Sequence, residues 1–155
     1  MDSVILLSKD NKPVKIDRDL LRRVSVVFDN MSDQTVDPIA SWDLQDFSEQ
    51  SLQHFVHAIS RFSDIDVKLP KTIVSEHFAS HVADEGVVAF FASKSNTELI
   101  ELSLLSNYIE CRWLFQLCSL FFACMLAIPQ HAVMAHVFDF PLTVPSDEIL
   151  DLIVT

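Results

Sequence analysis

The 155 residues suffice for one domain with a real core, and a chain that is 50% hydrophobic with 12 Phe is not a disordered one. Its net charge of −11 argues against nucleic-acid and anionic-membrane binding, which need clustered Lys or Arg; residues 97–155 hold one basic residue against seven acidic. The single glycine, Gly86, excludes the G-x-G-x-x-G and P-loop phosphate cradles and the G-x-S-x-G nucleophile elbow.

Val4 to Leu7 is an apolar, β-prone run, Lys9 to Lys12 a turn, and Pro13 to Ile16 a returning strand. Asp10-Asn11 tolerates the left-handed backbone of a tight hairpin. Asp17 suits the N-cap of the next helix, where Leu20, Leu21, Val24, Val27, Phe28 and Met31 form one apolar stripe. Residues 32–50 are polar, with a turn at Asp37-Pro38 and a short strand expected within Ile39–Leu44. A helix is expected from about Glu49 to Phe62, with Leu52, Phe55, Val56 and Ile59 inward. Further on, Ile65, Val67 and Leu69 alternate up to Pro70, and Val74, Phe78 and Val82 fall at helical spacing. Val87 to Phe91 reads as a short strand.

From Thr97 to Ile128 the pattern predicts two long helices joined at Glu110-Cys111-Arg112. In the first, Leu99, Leu102, Leu105 and Ile109 share a face and leave Glu98, Glu101 and Asn107 on the other. In the second, from Trp113 on, only Gln116 and Ser119 are polar. A helix apolar all round must be covered on every side. This one is near the lower length limit for crossing a bilayer and lacks basic flanks beyond Arg112, so no membrane is expected. Leu120, Phe121, Phe122, Cys124 and Met125 point in too many directions for one internal core. A partner polypeptide is therefore expected to cover part of the helix. Beyond it, Pro129 can open a helix and Pro145-Ser146-Asp147-Glu148 marks another helix start.

Cys111, Cys118 and Cys124 lie in the apolar stretch without C-x-x-C spacing. Their odd number, with no signal peptide, predicts a reducing compartment, cytoplasmic or nuclear, and thiols that behave as small hydrophobes. His77 and His81 stand four apart near Glu76, Asp84 and Glu85, but H-E-x-x-H is absent and a third ligand is not identified. No metal, cofactor or catalytic set is expected, and an enzyme is the least favoured class.

The order strand, turn, strand, helix, short strand, helix, then two long helices resembles the mixed α+β BTB/POZ fold. Three segments resemble one branch of it, the Skp family of adaptors in SCF ubiquitin ligases. Ser3 to Asn11 is similar to the family's opening strand and its Ser-x-Asp-Gly turn, and Asp37-Pro38-Ile39 to its Asp-Pro-Val. Glu101-Leu102-Ser103-Leu104-Leu105-Ser106-Asn107-Tyr108-Ile109-Glu110 is similar to its Glu-Leu-Ile-Leu-Ala-Ala-Asn-Tyr-Leu-Asp. Beyond these three, the further stretch Pro129 to Phe140 resembles its Pro-Glu-Glu-Ile…Phe-Asn-Ile helix.

The resemblance implies a non-enzymatic adaptor bridging a cullin scaffold and an F-box-type client. It implies a core over residues 1–128 and a partner-binding helical extension over 129–155. Asn107 and Tyr108 become candidate cullin contacts. Candidates for the client side are Trp113, Leu117, Leu120, Phe121, Phe122 and Met125, with Val133, Phe138, Ile149 and Leu150 beyond. The chain departs from the family at Asn11, where a turn glycine is usual, and at Val24-Ser25-Val26-Val27, where hydroxyls are replaced by apolar groups. Its acidic loop is reduced to Ser32-Asp33-Gln34-Thr35-Val36, and Leu120 replaces a solvent-facing Lys. With the sequence ending at Thr155, the closing Trp-Cys-bearing helix is missing and an incomplete F-box clasp is expected. The alternative is a BTB-fold structural protein that self-associates, including as a homodimer, and has lost the cullin.

Overall fold

The computed structural model describes residues 2–63, 78–82 and 84–126 of the chain. Among them, six α-helices and one three-stranded sheet make a mixed α+β protein. The chain divides into two compact units: Met1–Ile65 with Lys94–Phe115, and Asp66–Ser93 with Gln116–Thr155. The boundary expected at residue 128 lies outside the described residues.

In the first unit, β1 (Ser3–Leu7) is the middle strand, with β2 (Pro13–Asp17) antiparallel on one side and β3 (Ser41–Asp43) parallel on the other. The period-two alternation buries Val4 and Leu6 directly opposite Ile16 and Val14. Asn11 closes the hairpin at φ 58, and its N–H donates to the Ser8 carbonyl at 2.9 Å. Asn reaches that left-handed conformation at less cost than most residues.

Asp17 caps α1 (Arg18–Val24), accepting from the Leu20 N–H at 2.9 Å. The Arg18 guanidinium pairs with Asp2 at 2.6 Å and donates to the carbonyls of Ser3 and Ile39, so it holds the edges of β1 and of the approach to β3. The stripe from Leu20 to Met31 predicts one helix, but there are two. Ser25, extended at φ −109 and ψ 114, separates α1 from α2 (Val26–Asp33). Its N–H closes α1 on Leu21, and its hydroxyl oxygen accepts from the Phe28 N–H at 3.1 Å to cap α2. A serine that can serve both ends competes with the continuous helical ladder.

The helix expected at 49–62 is α3 (Glu49–Phe62), capped by Ser48, and Leu52, Phe55, Ala58, Ile59 and Phe62 form its buried face. Val56, expected inward, is half-buried. α3 packs against β2 and against α5 (Asn96–Tyr108). α6 (Arg112–Leu126) begins after a three-residue turn.

In the second unit, the strand expected at Val87–Phe91 is helical instead, inside α4 (Glu85–Ala92). Asp84 accepts from the Val87 N–H at 3.0 Å, and this cap starts a helix where the apolar run alone resembles a buried strand. Phe78–Ser80 is a single 3-10 turn. The expected strand at Ile65–Leu69, and Val74 of the expected helix, lie outside the described residues. The Phe121 ring meets those of Phe78, Phe91 and Phe122 at centroid distances of 5.4, 5.5 and 5.8 Å, and the Phe78 and Phe91 rings are 5.0 Å apart. These aromatic contacts join Phe78 and α4 to α6 among the described residues of the unit.

Candidate functional site

The site is built on α5. Ser95 and Glu98 start it with a reciprocal capping box: the Ser95 N–H donates to the Glu98 carboxylate at 2.8 Å, and the Glu98 N–H to the Ser95 hydroxyl at 3.2 Å. One face, Leu99, Leu102, Leu105 and Ser106, is buried. The opposite face carries Ile100, Leu104 and Tyr108, one every fourth residue, at 50%, 58% and 55% exposure. Asn107 is exposed beside them, and the Phe47 ring lies 5.6 Å from that of Tyr108. Single exposed apolar side chains are ordinary, but a row on one helix face marks an interaction surface.

Polar contacts hold α5 on α3 beneath this row. Glu101 accepts from the Ser51 hydroxyl at 2.6 Å and from Ser48 at 3.3 Å, and Gln50 donates to Glu98 at 3.0 Å. The hydrogen bonds from Ser95 hold the Glu98 carboxyl below the usual range. His54 Nε2 stands 3.6 Å from Glu98, too long for a good hydrogen bond. Burial pushes the His54 imidazole below its ordinary pKa, and the Lys94 charge acts in the same direction. Together they outweigh the attraction of Glu98.

The far end of α5 is equally well defined. The Cys111 N–H donates to the Ser106 carbonyl at 2.9 Å and the Glu110 N–H to the Asn107 carbonyl at 3.2 Å, with Glu110 at φ 55. This is a Schellman stop with glutamate in the left-handed position that glycine ordinarily takes.

The expectation that α6 carries the open apolar surface is corrected. Among its residues, Arg112 and Gln116 are exposed and every apolar one is buried or half-buried. Leu117 and Leu120, expected as partner contacts, are interior, as are Leu114, Cys118, Ala123, Cys124 and Leu126. Phe121, Phe122 and Met125 are half-buried, and the Phe121 ring is engaged inside its own unit. Trp113 is half-buried, and its Nε1–H is buried without an acceptor. Val133, Phe138, Ile149 and Leu150 lie outside the described residues. The sequence reading missed Ile100 and Leu104, although their spacing to Tyr108 was visible.

All three cysteines are buried and free of disulfides. Burial pushes the Cys111 thiol up to about 11, against a small opposing effect of the Leu114 N–H, and raises that of Cys124. Among the described residues no group of His, Cys, Asp and Glu is arranged to hold a metal, and no helix is long and apolar enough to cross a membrane. No family model and no curated protein matches the chain.

Proposed function

We propose that this chain is a non-enzymatic adaptor of the Skp type, in which the outward face of α5 docks a cullin-type scaffold. Residues of α6 and of the segment beyond it would hold an F-box-type client. The observation that carries the reading is the exposed row Ile100, Leu104 and Tyr108 on a helix fixed by its cap and its serine–glutamate contacts. The segment most similar to the Skp family lies on that helix, and its Asn107 and Tyr108 are exposed. A hairpin followed by helices and a parallel third strand is compatible with a BTB/POZ-type core. Of the client-side candidates on α6, Trp113, Phe121, Phe122 and Met125 are half-buried, and Leu117 and Leu120 are buried. The proposed setting is the cytoplasm or nucleus.

Burial of the α5 row would contribute about 25 cal/mol per Å² before association costs. Calorimetric titration with a cullin N-terminal fragment tests the reading. Binding that Tyr108→Ala weakens at least about tenfold supports it, and absence of binding by the folded wild-type chain refutes it.

The second reading is self-association without a cullin. The same row favours it, because one helix face can meet its own copy across a two-fold axis. Light scattering of the chain alone distinguishes a dimer from a monomer.

A further inference from the structure

We propose that the outward face of the β2–β1–β3 sheet is a contact between two copies of this chain, a weak two-fold dimer in which Lys15 of each copy meets Asp43 of the other. The strand register builds the face. Val4, Leu6, Val14 and Ile16 are buried, and Trp42, paired with Leu6, has its ring 5.5 Å from that of Phe28. Period-two alternation therefore turns Ile5, Leu7, Pro13, Lys15, Ser41 and Asp43 to the other side. There Ile5 lies between Lys15 and Ser41, and Leu7 between Pro13 and Asp43. Ile5 and Leu7 are only half-buried although they stand on the middle strand, and the four residues beside them are exposed. Water thus reaches an apolar centre on the face that a half-covered sheet ordinarily keeps polar.

The charges select the occupant. Lys15 and Asp43 stand at opposite corners of this face, with the middle strand between them. Among the described residues neither side chain has an ion-pair or hydrogen-bond partner. Strand spacing and rise put their Cα atoms roughly 12 Å apart, too far for a direct pair within one chain. Asp17, which follows Lys15 along the same side of β2, is occupied as the α1 cap. A face with one positive and one negative corner is its own complement. Turning a second copy about a two-fold axis in the plane of the sheet, along the diagonal from Pro13 to Ser41, sets Lys15 over the partner's Asp43 and Asp43 over the partner's Lys15. The same rotation lays the Ile5–Leu7 pairs across each other at a steep angle, the orthogonal mode of sheet packing. A surface of one sign would satisfy one corner and repel the other, whereas a second copy satisfies both. Three strands of this length offer roughly 10 by 15 Å, well short of the roughly 800 Å² per partner of a standard interface, so the dimer is weak and exchanges fast. None of these residues belongs to the α5 row, so this dimer differs from self-association through that row and stands whether or not a cullin binds.

Sedimentation equilibrium and amide NMR of the full chain, from about 20 µM to about 1 mM, test it. The amide signals of Ile5, Leu7, Lys15 and Asp43 are expected to move with concentration while those of Ile100 and Leu104 stay still. Lys15→Glu or Asp43→Lys alone should weaken dimerisation about tenfold, because symmetry enters each change twice, and the two changes together should restore it. Both positions are exposed, and circular dichroism checks that each variant keeps the fold. A chain still monomeric at the highest concentration, a double variant no better than the single ones, or concentration-dependent shifts confined to the α5 row would overturn the proposal.

Discussion

The Ser25 hydroxyl donates to the Ile109 carbonyl at 2.7 Å, joining residues 84 positions apart inside the first unit. The same oxygen accepts from the Phe28 N–H, and the neighbouring Val26 N–H donates to the Glu110 carbonyl at 3.3 Å. One buried serine thus ends α1, starts α2 and fixes the turn in which α5 ends. It lies between Val24 and Val26, the apolar residues that stand where the Skp pattern has hydroxyls. Ser25→Ala should destabilise the chain by about 2 kcal/mol, combining a lost cap with a buried carbonyl left unpaired. Urea unfolding measures it, and a change within about 0.5 kcal/mol would show that water replaces both bonds.

Glu110 holds a left-handed conformation that costs an L-residue about 1–2 kcal/mol. Glu110→Gly should therefore stabilise the chain by up to about 1 kcal/mol, part of the relief being returned as backbone entropy. The midpoint of denaturant unfolding should rise at unchanged slope. A fall would mean that the Glu110 side chain supports the turn.

Phe121 and Tyr108 separate core from surface. Phe121→Ala removes a ring packed on Phe78, Phe91 and Phe122 and should cost about 3 kcal/mol or more. Tyr108→Ala should change stability by less than about 1 kcal/mol while reducing partner binding. Thermal melts of the two variants provide the check, and the opposite ranking would exchange their roles.

Acid should weaken the α3–α5 contact in two stages. Folding lowers the His54 pKa, so the unfolded chain binds the proton more readily. The stability contributed by neutral His54 is fully present above about pH 6.5 and is lost as pH falls through the folded value. Folding also lowers the Glu98 pKa. Its contribution is present above about pH 4.3 and is lost as pH falls through the folded value. His54→Gln should flatten the upper stage of the melting-temperature profile and Glu98→Gln the lower.

Much of the architecture was legible in the residues. The β1–β2 hairpin follows from strict alternation around a turn that Asn11 can make, and α3 from a clean apolar stripe behind the Ser48 cap. The α5–α6 turn was visible as the polar break at Glu110-Cys111-Arg112. Periodicity failed where a side chain outranked it: Ser25 divides a continuous stripe, and Asp84 turns a strand-like run into α4. The open surface was misplaced for a related reason. Hydrophobicity counts apolar residues without saying what covers them, so the greasier α6 attracted attention while the row on α5 is the one left exposed.

The most direct measurement places a photo-crosslinking residue at position 104, on the exposed face of α5, and irradiates the folded chain with a cullin N-terminal fragment. The account predicts a covalent adduct with the fragment that Tyr108→Ala suppresses. No adduct with the fragment, or adducts only between copies of the chain, would contradict the adaptor reading.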